Sequence, residues 1–244
     1  MPMNKKDNIF KQPLDQPGAF VFDEKVAQVF PDMVKRSVPG YSNVIAGTGL
    51  IAAEYLQPGS RCYDLGCSVG ASTFAILEQI DHDDFTIIAV DNSPSMIEQC
   101  RQNIACSAHT ANVTCICDDI QNIEITQASV VVLNYTLQFI PLEEREALLA
   151  RIYRGMKPEG VLVLSEKLAF DTPAEQQRQT LLHDSFKRAQ GYSELEISQK
   201  RAALENVLLP ESFDSHIQRL EKVGFCDAQL WFRSINFASM LAWK

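Results

Sequence analysis

The sequence predicts an α/β fold: a doubly wound, mostly parallel sheet of seven strands, with an N-terminal helical segment and a helical insertion after the fifth strand. Three observations carry this reading. From Ser60 to Glu166, short apolar runs alternate with helical patterns. The stretch "CYDLGCSVGAST" passes from strand to helix through Gly66 and Gly70, with the acid Asp64 ahead of them. Near the end, "AQLWFRS" and "FASMLAWK" form two strands around Ile235-Asn236, a closing hairpin.

Each element has its own local signal. Residues 1–22 read as a loose arm carrying Pro13, Pro17 and Gly18. Asp23 is placed to cap a helix through "EKVAQVF", and Pro31 is expected to interrupt it before "DMVKRSV". Pro39-Gly40 marks a turn, and "YSNVIAGTGLIAAEYL" is an apolar helix closed by Pro58-Gly59. "RCYDL" is then the first strand and "STFAILEQI" its helix. "FTIIAVD" is a continuous apolar run of the kind that parallel strands show when both faces are covered. Ser93-Pro94 opens the next helix, with the hydroxyl at the N-cap and proline at the first turn. "VTCIC" and "SVVVLN" are the third and fourth strands. "PLEEREALLARIYRGM" is a helix with acids early and bases late, matching its dipole, and Gly160 leads into "VLVLSE", the fifth strand. Residues 171–209 are helical and charged, and "ESFDSHIQRLEKVGF" is a further helix before the hairpin. We read 1–59 as an arm and helices packed on the core, and 60–244 as the α/β unit with its insertion at 171–209, forming one domain overall.

Composition excludes several classes. A net charge of -9 argues against broad contact with a phosphate backbone, so direct tRNA binding is not expected. The longest apolar run falls well short of the ~18 residues that suggest a membrane span, and "MPMNKKDNIF" has no apolar segment behind its charges, so neither a membrane anchor nor a secretory signal is expected. The seven cysteines include no C-x-x-C pair and read as reduced thiols of a cytoplasmic protein. His82, His109, His183 and His216 are scattered, so no metal site is expected.

The glycine loop points to a nucleotide. The dinucleotide fingerprint G-x-G-x-x-G needs a third glycine, whereas Ser68 holds the middle position here. A carboxylate at Asp64 is awkward beside a pyrophosphate but welcome beside an ammonium or sulfonium, which favours S-adenosylmethionine over NAD. Asp91 ends the second strand near the ~20-residue offset at which an acid receives ribose hydroxyls, and Asn92 follows. Asp119 with Ile120 can meet an adenine edge, and Asn134 ends the fourth strand at the cleft. In the insertion, Ile197, Leu204 and Leu208 fall at i, i+7 and i+11, with Arg201 on the same stripe at i+4. A guanidinium on an apolar face needs an anion: either an internal acid such as Glu205 or a carboxylate ligand.

The loop resembles that of the class I adenosylmethionine-dependent methyltransferases, from which Ser68 departs. More specifically, "VFPDMVKRSVPGYSN", "YDLGCSVGAST", "DNSPSMIEQCR", "LNYTLQF", "LSEK" and "FKRAQGYSELEISQKRAALENV" resemble the carboxy-S-adenosylmethionine synthase family, over residues 20–243. The resemblance implies that adenosylmethionine and prephenate become carboxy-S-adenosylmethionine and phenylpyruvate. The product would be the donor used by a tRNA carboxymethyltransferase at the wobble uridine. It also implies that Gly66, Cys67 and Ser68 line the amino acid end of the donor, Asp91 and Asn92 meet the ribose, Asp119 and Ile120 the adenine, and Asn134 the reacting end. Tyr41 and Arg201 would hold the new carboxylate, Arg201 from the second subunit of a homodimer. No protein base is implied. A conventional methyltransferase acting on a small molecule or RNA, and a binding protein that delivers its ligand, are the competing readings.

Overall fold

Apolar strands without alternation need cover on both faces, and the centre of this sheet receives it. The computed structural model describes residues 5–14, 18–105 and 110–244, so Pro17, Cys106 and His109 lie outside the described residues. Seven strands form one sheet: β1 (Ser60–Leu65), β2 (Phe85–Asp91), β3 (Val113–Cys117), β4 (Ala128–Asn134), β5 (Met156–Lys167), β6 (Cys226–Ser234) and β7 (Phe237–Trp243). Their order is β3-β2-β1-β4-β5-β7-β6. β1 to β5 are parallel, and β7 runs antiparallel to both β5 and β6. The connection reverses direction between β1 and β4, which makes the C-terminal ends of those strands the switch point where ligands sit in such sheets. This is the seven-stranded class I methyltransferase-like fold expected from the sequence.

Strand period two sorts the core into two layers. Tyr63, Leu65, Val131, Leu133, Leu162 and Leu164 face α5 (Leu142–Gly155) and α8 (Phe213–Val223), meeting Leu148, Ile152 and Leu220. Cys62, Ile87, Val130, Val132, Val161 and Val163 face α2 (Tyr41–Tyr55), α3 (Ala71–Leu77) and α4 (Pro94–Ile104), meeting Ala52, Ile76 and Ile97. Gly49 lets α2 press on α3: a Cβ there would stand 2.4 Å from the Ala75 carbonyl oxygen.

Several expectations change. Pro31 does not end a helix, because α1 runs unbroken over Glu24–Ser37 behind its Asp23 cap. Packing of Val26, Val29 and Met33 against Val69 and Met96 offsets the lost backbone bond. Over its described residues, 5–14 and 18–22, the arm is not loose. Phe10 and Asp7 are buried, Gln199 Nε2 donates to the carbonyls of Phe10 and Gln12 at 2.9 Å each, and the Phe20 N–H donates to the Ala203 carbonyl at 3.0 Å. Finally, β5 begins at Met156 rather than after Gly160.

The insertion forms α6 (Pro173–Ala189) and α7 (Glu194–Leu204). Thr172 caps α6, and Ser193 with Glu196 closes a capping box on α7. Leu208 lies past the end of α7, so the helical stripe proposed for residues 197–208 stops at Leu204. No helix of the described residues is long and apolar enough to cross a membrane.

Candidate active site

A cavity of about 1080 Å³ opens at the C-terminal ends of β1, β4 and β5, roofed by α1, α6 and α7. It exceeds the roughly 300–1,000 Å³ of a single small-molecule site, leaving space for two ligands. Tyr41, Gly66, Cys67, Ser68, Asp91, Asn92, Asp119, Ile120, Asn134 and Arg201 all line it.

The loop after β1 is held open by backbone geometry. Gly66 has φ +80°, and a Cβ there would stand 2.2 Å from Thr136 Oγ1. Ser68, at the position where the superfamily pattern has glycine, takes φ +51°. Its N–H donates to Asp91 Oδ2 at 2.9 Å and its hydroxyl to Met96 Sδ at 3.4 Å. These contacts stabilise the left-handed conformation that a serine otherwise avoids. Asp91 Oδ1 accepts from the Ser93 N–H at 2.9 Å. Burial raises its pKa despite these two backbone bonds. Each carboxylate oxygen keeps a second lone pair, enough to receive a vicinal diol. Asp119 caps the short turn Ile120–Asn122 by accepting from the Gln121 N–H at 2.8 Å. The Ile120 N–H, first in that turn, has no acceptor within it, so a carboxylate and an N–H stand side by side as a purine edge requires.

Asp64 does not serve the cleft directly. It is 1% exposed and accepts from the Thr73 N–H at 3.0 Å and the Thr73 hydroxyl at 2.6 Å, fastening α3 to β1. Burial pushes its pKa up to about 6 against those bonds. Asn134 is likewise occupied. Its Nδ2 donates to Thr48 and Ser72 hydroxyls at 3.1 and 3.0 Å, and its Oδ1 accepts from Ser165 at 2.6 Å. It ties α2 and α3 to β5. The Cys67 thiol is pushed up to about 11: the hydrogen bond from Cys100 lowers it, but burial and the nearby carboxylates outweigh this. A thiol that keeps its proton in this way is a poor nucleophile.

The opposite wall is aromatic and cationic. Tyr135, at φ +63°, sits between Tyr41 and Phe237, with ring centroids 6.0 and 5.9 Å away. Burial raises both tyrosine hydroxyls, so they remain neutral donors. The turn beneath them is fixed by Glu166, which accepts from the N–H groups of Leu137 and Gln138 at 3.0 and 2.9 Å; burial pushes its pKa up to about 8. His183 packs on Phe237 at 5.3 Å, and the Ser37 carbonyl 2.8 Å from its Nε2 fixes the proton there. Burial, with Lys187 nearby, pushes its pKa down to about 3, so the ring is neutral.

Arg201 stands on the rim with its side chain 56% exposed, ion-paired with Asp184 rather than with Glu205. Lys187 shares Asp184 at 3.0 Å. Burial raises Asp184, but its hydrogen bonds from Lys187 and Arg201 hold it below the usual carboxylate value. Sequence reasoning singled out Arg201 and missed Lys167, His183, Asp184 and Lys187, which line the same wall. The one available signal was a lysine directly after a buried strand, in "VLVLSEK".

Comparison with known proteins matches this geometry to a family. The model for a methyltransferase domain matches residues 62–160. The chain is 56% identical over 241 residues to a carboxy-S-adenosyl-L-methionine synthase of Geobacter sp. (strain M21), covering 98% of this chain and 99% of that one. It is 51% identical over 242 residues to the synthase of Escherichia coli O17:K52:H18, covering 99% and 98%. Among solved structures, a putative S-adenosyl-L-methionine-dependent methyltransferase of Methanococcus maripaludis superposes with a TM-score of 0.61 at 20% identity, over 95% of this chain and 97% of that one. An O-methyltransferase family protein of Burkholderia thailandensis gives 0.66 at 16% identity, over 94% and 65%. These structural likenesses speak for the fold. The near-full-length identities show that the chain belongs to the carboxy-S-adenosyl-L-methionine synthase family.

Proposed function

We propose that the protein binds S-adenosyl-L-methionine and prephenate and releases carboxy-S-adenosyl-L-methionine and phenylpyruvate. The observation that carries this reading is the division of charge within one cavity. Asp91 and Asp119 stand at the nucleoside end, while Lys167, Lys187 and Arg201 stand at the other. A cationic donor suits the first end and an anionic acid the second. Gly66, Cys67 and Ser68 would take the amino acid end of the donor, Asp91 and Asn92 its ribose, Asp119 and Ile120 its adenine, with Asn134 bracing the reacting end. Tyr41 and Arg201 would hold the carboxylate of the product.

In this reaction prephenate loses carbon dioxide and hydroxide as its ring becomes aromatic. The hydroxide takes a proton from the sulfonium methyl and leaves as water, and the resulting ylide carbon bonds to the carbon dioxide. His183, with its pKa pushed down to about 3 by burial, is a weak base, and both tyrosines keep their protons, which agrees with a base that comes from the substrate. The protein's share is positioning and exclusion of water.

The reading extends to a cytoplasmic homodimer in which Arg201 reaches the second subunit's cavity, with the product passed to a tRNA carboxymethyltransferase. Leu181, Leu182 and Leu195, all well exposed on α6 and α7 beside Arg201, support such a contact. The test is incubation with both substrates and mass spectrometry of the nucleoside. A carboxylated donor together with phenylpyruvate is expected; adenosylhomocysteine formed with some methyl acceptor instead would identify a conventional methyltransferase.

A further inference from the structure

The wall opposite the nucleoside end holds polar groups that the fold leaves unused. Lys167 ends β5 and lies across from Phe237 in the β5–β7 register. Its backbone N–H is taken by Gln138 Oε1 at 3.0 Å, but among the described residues no side chain pairs with its ammonium. Next to Phe237, Asn236 is 1% exposed, and its amide oxygen has no partner. Both line the cavity. Lys187 and Arg201 share one carboxylate, that of Asp184, and Lys167 adds a further cation with no ion pair of its own among the described residues. A surplus of that kind, half out of water, is costly unless a ligand brings the missing anions. Beside it lies the row of Tyr41, Tyr135 and Phe237, which offers a flat ring an apolar face.

We propose that Lys167 is the specificity-determining cation for the second substrate, a dianionic cyclic acid, and that it binds the carboxylate which that substrate keeps, leaving the departing carboxylate against the Tyr41–Tyr135–Phe237 row. The assignment of the two carboxylates follows from the chemistry. A carboxylate gripped by an ammonium is stabilised as an anion, which opposes its loss as carbon dioxide, whereas one facing aromatic carbon is not. The cation therefore belongs with the group that stays.

This inference rests on the proposed reaction, and its test separates the two. Lys167→Gln should raise the KM for prephenate about ten- to hundredfold, the effect of one lost charge-assisted bond, while adenosylmethionine affinity stays within about twofold. Phenylpyruvate retains the anchored carboxylate but lacks the other, so its inhibition constant should rise by the same factor. Lys167→Arg should recover most of both. If the inhibition constant stays unchanged while the KM rises, Lys167 holds the departing group and the assignment is overturned. If neither changes, the subsite is elsewhere. Calorimetric titration of phenylpyruvate into the adenosylhomocysteine complex needs no turnover. A loss of that binding in Lys167→Gln supports the subsite even if the wild type makes no carboxylated donor, in which case only the proposed reaction fails. Should Lys167→Gln not fold, Lys187→Gln in the same titration should weaken phenylpyruvate by a smaller factor; no weakening there would count against the subsite.

Discussion

Across the ends of β1 to β4 the polar groups of the cavity are already employed by the fold, whereas at the β5–α6–α7 edge several have nothing to do. Asp91 holds two backbone N–H groups, Asp64 holds Thr73, and Asn134 braces two helices. Among the described residues the Lys167 ammonium and the Asn236 amide oxygen have no partner, and Lys187 and Arg201 share Asp184. The first edge is a preformed template, so its substitutions should disturb structure and donor binding together. The second is an electrostatic socket, so its substitutions should change ligand affinity with little cost to the fold.

The most severe way to test that contrast is Gly66→Ala. A Cβ at 2.2 Å from Thr136 and a positive φ leave the loop no relaxed arrangement. Calorimetry should show adenosylmethionine affinity falling by more than about a hundredfold with a lower melting temperature. Asp91→Asn comes next. The amide cannot accept from Ser68, Ser93 and a ribose diol at once, so donor affinity should fall about ten- to hundredfold, with the prephenate KM unchanged at saturating donor. On the other edge, Arg201→Ala should weaken carboxy-S-adenosylmethionine about tenfold and adenosylmethionine less than about threefold. Equal losses for both nucleosides would erase the distinction between the edges.

Two smaller effects concern pH. Lys167 is pushed down to about 8 by burial and by Lys187 and Arg201, with Asp184 opposing and His183 neutral beside it. The prephenate KM should therefore rise as pH passes about 8, and Lys167→Arg should flatten that rise. His183 and His216 are held neutral by burial, at about 3 and about 4. Below pH ~6.5 the unfolded chain takes up protons that the folded one refuses, so stability should fall by roughly 1 kcal/mol per pH unit for each ring. Asp64, raised to about 6, binds its proton more tightly when folded and offsets part of this loss between pH ~4 and 6. Urea titrations from pH 7 to 4.5 measure the balance, and removing Asp64 by Asp64→Asn should steepen the decline.

The strands were legible in the sequence because period and turn chemistry are local properties. The glycine loop, Asp91 and Asp119 were legible because strand ends in this topology converge on one crevice. Asp64 was misread, because a strand-end acid that faces a ligand looks the same in sequence as one that fastens a helix nine residues on. Pro31 was misread because its cost of about 3 kcal/mol is met by tertiary packing that no local window contains. Lys167, His183, Asp184, Lys187 and Asn236 come together only when α6 folds back over the paired ends of β5 and β7, so no spacing along the chain announces them.

The N-terminal arm adds a consequence for timing. The Tyr192 hydroxyl donates to Asp7 at 2.5 Å, Arg36 lies 3.8 Å over the Tyr192 ring and donates to the Asp7 carbonyl, and Gln199 grips the chain at Phe10 and Gln12. Arm and insertion are thus tied to each other and to α1, and an opening of one is expected to carry the other with it. Stopped-flow release of the donor should follow one exponential, sped up by Tyr192→Phe; two resolved phases would mean that the latch has two independent halves.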